Sequence, residues 1–339
     1  MEQTKRLTIE QQLLAKFIEK LPPVEAAVGY GSGITDQAGK EAEEGLTHQL
    51  DFVLVLSKLF MWHWQNFIKN SEIYPFMSRI FYLTAPYLYR LGADISYLPY
   101  IKEEDIELAI AYIKAGFISQ TDLVNDLNNW KNFYMAGRFQ KEIYLLITNL
   151  ELDEAIARNR KSALIIALIL LDKENPNMFD LVHEICKLSY YGDELRKRIE
   201  DPYKAEKNAR GSFEYLSKQY FDDNLYQTTE KGVIIPNYRA IDDYGLKNLP
   251  SNFAKHIAPD KTLSDMNAEE LLNFRENIIA FFRKVNTSAG WQMGAKGFLS
   301  AGAVRSYRYI KEKRIKKKIS EEKGKALILD QDQENLTNK

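Results

Sequence analysis

Two short stretches near the N-terminus decide the fold, VEAAVGYGSG at residues 24–33 and LDFVLVL at residues 50–56. The first is typical of a strand that runs into a glycine-rich turn. The second is a continuous β-branched and apolar run, which is typical of a strand buried on both faces. The polar residues between them predict a loop. Together these patterns indicate an α/β (α+β) fold built around the second strand.

Helical patterns flank these strands. Apolar spacing predicts helices over residues 7–20, 61–74, 78–90 and 103–113, and GADISYLPYI at residues 92–101 predicts a third strand. From Thr121 onward the pattern is mainly helical, over residues 121–139, 153–172, 178–190, 203–221 and 266–286, with an irregular segment at 224–264. We therefore expect three units: an α/β core at 1–120, a helical domain at 121–225 and a C-terminal helical region at 226–339.

Composition excludes several classes of protein. The chain has 339 residues, 45% of them hydrophobic, and a formal net charge of −1, so nothing marks it globally as a nucleic-acid binder. Its one cysteine, Cys186, excludes a disulfide framework and favours a reducing compartment. The N-terminus resembles neither a secretory nor a mitochondrial leader, and no apolar run is long enough to cross a membrane.

The glycine turn and the strand that follows carry the chemistry. Gly31, Ser32 and Gly33 would let backbone N–H groups approach phosphate oxygens, and Ser32 adds a hydroxyl donor. Asp51 opens the buried strand, where a charge is costly unless it is paired or metal-bound. This pattern predicts a nucleotidyltransferase site with a triphosphate at the turn and Mg²⁺ on Asp51. The alternative is an ordinary turn with a capping aspartate.

The rest of such a site is less evident. Two-metal enzymes normally carry a second carboxylate two residues after the first, and here that position is Val53. Asp94, on the third predicted strand, is a candidate replacement, although a purely structural role is an alternative. Lys114, Arg138 and Lys141 are candidates to neutralise pyrophosphate charge. Taken singly, each is better explained as a solvated surface charge.

Seven segments occur in an order that is far more specific than any one motif. They are YGSG (30–33), LDFVLV (50–55), WHWQN (62–66), KAGFIS (114–119), DLNNWKNFYMAGRFQK (126–141), LSYYGD (188–193) and KGFLSAGAVRSYRYIKEK (296–313). On these segments the chain resembles the mitochondrial translocator assembly and maintenance family, which is the mitochondrial-type phosphatidate cytidylyltransferase or CDP-diacylglycerol synthase. The resemblance implies the reaction of CTP with phosphatidic acid to give CDP-diacylglycerol and pyrophosphate, with Mg²⁺.

The resemblance also implies roles for domains and residues. The three units become a nucleotidyltransferase core, a winged-helix-like helical domain and a membrane-binding C-terminal region. Carried onto this chain, the roles include Asp51 and Lys114 as catalytic residues, Asp51 and Asp94 as metal ligands, and a set of nucleotide-contacting residues, namely Gly31, Ser32, Gly33, Arg138, Lys141, Tyr190, Asp193, Lys204 and Asn208. LSYYGD has an alternative interpretation as an interdomain packing motif. The chain departs from the family at ITDQ (34–37) and at Asp94, where the family has a glycine.

A soluble enzyme must dock on a membrane to reach phosphatidic acid. Trp291, Met293, Phe298, Leu299 and Val304 precede a run with eight basic residues at 305–318, so residues 291–318 predict an interfacial helix on an anionic surface. Alternatives are a packed helix with a solvated charged end and a weaker nucleic-acid interpretation. The missing transit peptide predicts a bacterial relative, cytoplasmic and peripheral on the inner face of the cell membrane.

Two other functions stay open at the level of sequence. The chain could be a nucleotidyltransferase with another acceptor, because acceptor surfaces are less recognisable than the core. Val53 also favours a non-catalytic nucleotide-binding assembly module. His63 and Cys186 are expected to be structural and inert, respectively. The sequence does not indicate an oligomeric state.

Overall fold

The computed structural model describes residues 9–31, 33–34, 49–74, 92–102, 112–192, 201–257, 259 and 261–337. Its helices and strands, in chain order, are α1 (Ile9–Glu19), β1 (Ala26–Tyr30), β2 (Gln49–Leu56), α2 (Leu59–Lys69), β3 (Ile95–Lys102), β4 (Tyr112–Ser119), α3 (Gln120–Asn129), α4 (Ala136–Phe139), β5 (Ile143–Ile147), α5 (Leu150–Leu170), α6 (Met178–Lys187), α7 (Lys204–Gly211), α8 (Phe213–Gln219), β6 (Tyr226–Thr228), β7 (Ile234–Pro236), α9 (Tyr238–Tyr244), α10 (Ser251–His256) and α11 (Ala268–Thr337).

Five strands form one mixed sheet in the order β3-β4-β2-β1-β5. β1 lies antiparallel to β2 and β5, β2 lies parallel to β4, and β3 lies antiparallel to β4. The central strand β2 has a neighbour on each side, and a hydrophobic core covers each of its faces, which explains why its sequence is apolar on both faces. A separate two-stranded sheet pairs β6 with β7.

Alternate residues of the sheet enter two different hydrophobic cores. Phe52 and Leu54 of β2, with Phe117 of β4, pack beneath α1 and α2. Val53 and Val55 face the opposite side, where the helices from α3 onward build the larger core. Because side chains alternate along a strand, Asp51 shares the face of Val53 and looks toward the larger helical layer.

The mixed α/β class predicted from the sequence is confirmed, and strands β1, β2 and β3 lie where expected. Two strands of the five-stranded sheet escaped prediction: β4, which includes residues 112 and 113 of a predicted helix, and β5, which pairs with β1 from within the predicted helical domain. The segment at 224–264 contains the β6–β7 hairpin and two short helices. The predicted helix at 78–90 and most of that at 103–113 lie outside the described residues.

The last helix, α11, contacts both ends of strand β3. An added Cβ at Gly92, just before β3, would lie 3.0 Å from Gln292 of α11. At the other end, the hydroxyl of Tyr100 donates a 3.0 Å hydrogen bond to Glu312 of α11. The C-terminal region therefore packs against the edge of the sheet that carries Asp51.

Candidate functional site

A row of three polar side chains crosses the sheet at one level. Tyr30 of β1 is paired with Asp51 of β2, and Asp51 is paired with Lys114 of β4. Residues directly opposite in adjacent strands point to the same face, so the three side chains stand side by side. The glycine turn starts at the residue after Tyr30. Strand register therefore brings the predicted turn, carboxylate and lysine together.

Asp51 and Lys114 form an ion pair at the centre of this row. Lys114 Nζ lies 2.7 Å from Asp51 Oδ1, and the Asp51 side chain is 26% exposed. Burial raises the pKa of the Asp51 carboxyl, but Lys114, with smaller contributions from Lys313 and Lys204, outweighs burial and brings the pKa below its usual value. Asp51 is thus held as a carboxylate among cations.

The glycine turn approaches this carboxylate closely. Gly31 has φ of +77°, a conformation that favours glycine. A Cβ at Gly31 would lie 3.3 Å from Asp51 Oδ2. The backbone N–H of Ile34 donates to the carbonyl of Gly31, so residues 31–34 form a tight turn that includes buried Gly33. Ser32 lies outside the described residues.

Tyr97 of β3 contacts two members of this row, Lys114 and Tyr30, and the sequence did not predict it. Its ring centroid is 4.6 Å from Lys114 Nζ, and its hydroxyl accepts a 3.0 Å hydrogen bond from the Tyr30 hydroxyl. The ring fits because the residue opposite is Gly116, where a Cβ would lie only 2.7 Å from the ring. The KAG sequence at 114–116 is the signal, since it places a lysine and a glycine on one face of β4.

A loop built around Asp126 presents Arg138. The two carboxylate oxygens of Asp126 accept four backbone N–H bonds of 2.8–3.1 Å from the loop, at Asn132, Phe133, Met135 and Ala136. Arg138 follows this loop and stacks on Tyr134, with 3.7 Å between the guanidinium carbon and the ring centroid. Burial, with Asp51, raises the pKa of the Tyr30 hydroxyl well above its usual value, and Arg138 partly opposes this rise, which places its charge near the Tyr30–Asp51 row.

Lys141 lies in a second polar cluster, formed with Tyr190 and Asn208. Its Nζ donates a 2.7 Å hydrogen bond to the Ser189 hydroxyl and lies 4.1 Å from the Tyr190 ring centroid. Asn208 donates a 3.3 Å hydrogen bond to the Tyr190 hydroxyl. Burial lowers the pKa of the Lys141 ammonium, and Arg138 adds to this effect. No carboxylate among the described residues pairs with Lys141, so an anion would be its natural partner.

The LSYYGD segment makes two sets of contacts. Its Ser189 and Tyr190 contact Lys141, whereas backbone carbonyls of the same segment accept hydrogen bonds from α11. Asn286 donates hydrogen bonds to the carbonyls of Leu188 and Tyr191, at 2.9 and 3.0 Å. Gly192 packs so closely on α11 that a Cβ there would lie 2.3 Å from the Arg283 side chain. These contacts fit the interpretation of the motif as a packing element, and its nucleotide-contacting role stays a prediction. Asp193 lies outside the described residues.

The structure does not bring Asp94 to Asp51. Asp94 precedes Ile95, which is opposite Ile118, whereas Asp51 is opposite Lys114. Four residues of β4 separate these levels, which is about 13 Å along the strand. Asp94 instead accepts hydrogen bonds from Lys131 and Asn132, at 2.7 and 3.2 Å. The sequence-based expectation of a shared metal site needs this correction, because the two carboxylates lie at different levels of the sheet.

Asp51 is therefore the one predicted metal ligand that lies in this row. Over the described ranges, His, Cys, Asp and Glu form no group of three that could hold a metal ion. Val53, at the usual position of a second carboxylate, is fully buried. One carboxylate still suits Mg²⁺, which is often held by one or two carboxylates together with substrate phosphates.

The predicted membrane region is only partly described. Trp291 is 61% exposed, whereas Met293 packs against the larger core. The side chains of Phe298, Leu299 and Val304 lie outside the described residues. Where the structure describes the chain, no helix has the length and apolar character needed for a membrane crossing.

These features define a class: a mixed α/β protein whose sheet carries one ion-paired carboxylate beside a glycine turn, with cations close by. Residues 14–316 match the family model described as "Phosphatidate cytidylyltransferase, mitochondrial". The chain belongs to this family, and the predicted identification of a phosphatidate cytidylyltransferase enzyme is confirmed.

Three relatives illustrate the similarity, each with the same name, "Phosphatidate cytidylyltransferase, mitochondrial". The Schizosaccharomyces pombe protein is 27% identical over 323 residues, which cover 85% of this chain and 79% of the relative. The Dictyostelium discoideum protein is 28% identical over 64% of this chain and 55% of the relative. The Homo sapiens protein is 34% identical over 54% of this chain and 39% of the relative.

These names overturn one prediction. The relatives are eukaryotic proteins named as mitochondrial. The predicted bacterial origin, with a cytoplasmic protein on the inner face of the cell membrane, is therefore wrong. The absence of a recognisable transit peptide was an insufficient basis for it.

Proposed function

We propose that this chain transfers the cytidylyl group of CTP to phosphatidic acid through the Tyr30–Asp51–Lys114 row, with residues 1–120 as the nucleotidyltransferase part. The observation that carries the proposal is the ion pair of Asp51 and Lys114 beside the turn at Gly31, inside the region that matches the family. A phosphate oxygen of phosphatidic acid would attack the α-phosphorus of CTP. The bond to the β-phosphate would break, and pyrophosphate would leave.

The cations around the row suit this chemistry. Negative charge grows on the departing pyrophosphate, and fixed cations in a partly dry site stabilise it without reorganisation. Lys114 is fixed by Asp51 and by the Tyr97 ring, and Arg138 is fixed by Tyr134. Backbone N–H groups of the glycine turn would hold the triphosphate. Lys141, Tyr190 and Asn208, with Lys204, would bind an anionic group of a substrate.

Asp51 is the residue that would hold Mg²⁺, through the carboxylate beside Gly31. When bound, the ion would neutralise phosphate charge and orient the triphosphate. The protein would then contribute one carboxylate, with substrate oxygens and water completing the coordination shell.

Residues 291–318 are the part that would reach the lipid. Tyr307, Ile310 and Ile315 of α11 are 71%, 38% and 39% exposed, and exposed Lys311, Arg314 and Lys318 are interleaved with them. Aromatic and aliphatic side chains mixed with cations suit an anionic membrane surface. The names of the relatives support a mitochondrial membrane as the location.

The direct test is product formation from CTP, Mg²⁺ and phosphatidic acid in vesicles. Asp51→Asn keeps the size of the side chain and removes its charge, so turnover should fall at least about 100-fold with the fold intact. Asp223→Asn, at an exposed position, is the matched control and should behave as wild type. Wild-type protein without CDP-diacylglycerol product would reject the proposal, and an active Asp51→Asn variant would remove Asp51 from the mechanism.

A further inference from the structure

The last helix reaches the site at an irregularity of the edge strand. The register of β3 shifts between Leu98 and Ile101, and the residues in this bulge lie opposite Lys114. Tyr100, in the bulge, has φ of +60°, an uncommon conformation for a tyrosine. Bulges next to active sites commonly redirect a side chain. Here the bulge turns the Tyr100 hydroxyl toward Glu312 of α11, 3.0 Å away.

Four side chains fasten α11 to this bulge. The rings of Tyr100 and Tyr112 meet edge to face, with 5.8 Å between their centroids. The Arg308 guanidinium lies 4.7 and 5.6 Å from these two ring centroids. Arg308 Nε also donates a 2.9 Å hydrogen bond to Glu312, which binds Tyr100. We name these four residues, Tyr100, Tyr112, Arg308 and Glu312, the bulge clamp.

Lys313 follows the clamp directly and lies on the packed side of the helix. Its side chain is half-buried, whereas Lys311 is exposed. At 100° per residue, positions 311 and 313 lie about 200° apart around the helix. Glu312, the residue before Lys313, is bound to Tyr100 in the bulge, and the bulge lies opposite Lys114, the partner of Asp51. The Lys313 charge lowers the pKa of Asp51, which agrees with this placement.

We propose that Lys313 is a phosphate-binding residue of the active site, and that the bulge clamp positions it by holding α11 against strand β3. The inference rests on the proposed function. The ligand chemistry is a phosphate group, from either the CTP triphosphate or the phosphatidate headgroup. The same helix turns its exposed Tyr307, Ile310 and Lys311 side away from the sheet. One helix thus faces the reacting phosphates and the membrane, which keeps the site at the lipid surface.

The test compares Lys313→Gln with Lys313→Arg and with the control Lys231→Gln, at an exposed lysine between β6 and β7. Titration calorimetry with CTP, and separately with pyrophosphate, measures binding without lipid. Rates with phosphatidate in mixed micelles then give KM for each substrate. Removing one charge-assisted contact should weaken one of these parameters about tenfold, and the arginine should restore most of it. Weaker CTP binding assigns Lys313 to the triphosphate, and a raised phosphatidate KM assigns it to the headgroup.

A second variant tests delivery by the clamp. Tyr100→Phe keeps the ring under Arg308 but removes the hydrogen bond to Glu312, so it should weaken the same parameter by a smaller factor, about two- to fivefold. This variant also carries the test if Lys313→Gln does not fold. The proposal is overturned if Lys313→Gln matches wild type within twofold, or if Lys231→Gln loses as much. If wild type makes no product, the proposed function fails, yet the calorimetry still decides the role of Lys313.

Discussion

Gly116→Ala is the sharpest structural perturbation of the site, because it adds one methyl group beneath Tyr97. The new Cβ would lie 2.7 Å from Cε1 of the Tyr97 ring and 3.0 Å from the Ile95 side chain. Carbon atoms in contact are about 3.5–4.0 Å apart, so the ring must shift by about 1 Å. Ile95 and Tyr97 are both buried, and overpacking of this kind costs about 1–3 kcal/mol of unfolding free energy.

The same displacement of the Tyr97 ring also changes its contacts with two side chains of the candidate site. The Tyr97 hydroxyl holds the Tyr30 hydroxyl at 3.0 Å, and its ring lies 4.6 Å from Lys114 Nζ. A displacement of about 1 Å lengthens the hydrogen bond beyond its normal range and moves the surface on which Lys114 rests. Misplacement on this scale can cost about 100-fold in rate. We expect kcat/KM to fall about 10- to 100-fold, measured with CTP and phosphatidate at a temperature where the variant is folded.

A control variant and a double-mutant cycle test whether contact with Tyr97 causes the effects of Gly116→Ala. Gly297→Ala adds a methyl group that meets nothing within 4 Å, so it should cause no loss of unfolding free energy. In a Tyr97→Leu background the clash with the ring is absent and only the Ile95 contact remains, so Gly116→Ala should cost less stability there, by at least about 1 kcal/mol in a double-mutant cycle. A Gly116→Ala enzyme with wild-type kcat/KM, or additive stabilities in the cycle, would refute the account of Gly116 as the space for Tyr97.

Three further predictions concern neighbouring groups. Asp126→Asn keeps one oxygen but turns an amide N–H toward two backbone N–H donors. The unfolding free energy measured in urea should therefore fall by about 2–4 kcal/mol. A smaller fall than in the exposed Asp223→Asn variant would contradict this prediction. Lys141→Met should leave the melting temperature unchanged or higher but weaken CTP or phosphatidate use at least about tenfold. Burial lowers the pKa of His63 to about 3, so its unfolded form gains a proton below about pH 6.5 while the folded form does not. Unfolding free energy should therefore drop by about 2 kcal/mol more between pH 7 and pH 5 in wild type than in His63→Phe, and equal slopes would exclude His63 as the cause.

The local parts of the site could be predicted, because short motifs encode them. A glycine turn followed by a charged residue at the head of an apolar strand is recognisable without tertiary information, and Gly31 and Asp51 do lie together. The position of Lys114 also follows once β4 is known, since β2 and β4 pair in parallel with Asp51 opposite Lys114.

Strand β4 could not be predicted from the pattern of its own sequence. Both of its faces are buried, so YIKAGFIS shows no simple polar alternation, and its one lysine faces a carboxylate rather than solvent. Strand β5 was hidden because it lies at the sheet edge within an otherwise helical stretch. Periodicity reports exposure to water, and it fails where a polar residue is buried by a partner.

The contribution of α11 could not be read from local pattern at all. Tyr100 and Glu312 are 212 positions apart, and only the folded chain places them together. The basic run at 305–318 looks uniform in sequence, yet the fold divides it into a side that packs on the bulge and a side that is exposed. A charge run therefore predicts an anionic partner but not which of its cations meets the substrate.

The missing second carboxylate also follows from packing. Val53 lies two residues after Asp51 on the same face, opposite Val28 on one side and Gly116 on the other. The ring of Tyr97 occupies the space over Gly116, so position 53 lies in an apolar layer that is closed to solvent. A carboxylate there would have no water and no cation as close as Lys114 is to Asp51, and burying it would cost several kcal/mol. The tyrosine that fixes Lys114 thereby removes the place of a second acid. Under the proposed function, charge neutralisation at the phosphates would then depend on Lys114, Arg138 and the lysine brought by α11, so the docking of the last helix would be part of the chemistry as well as of membrane attachment.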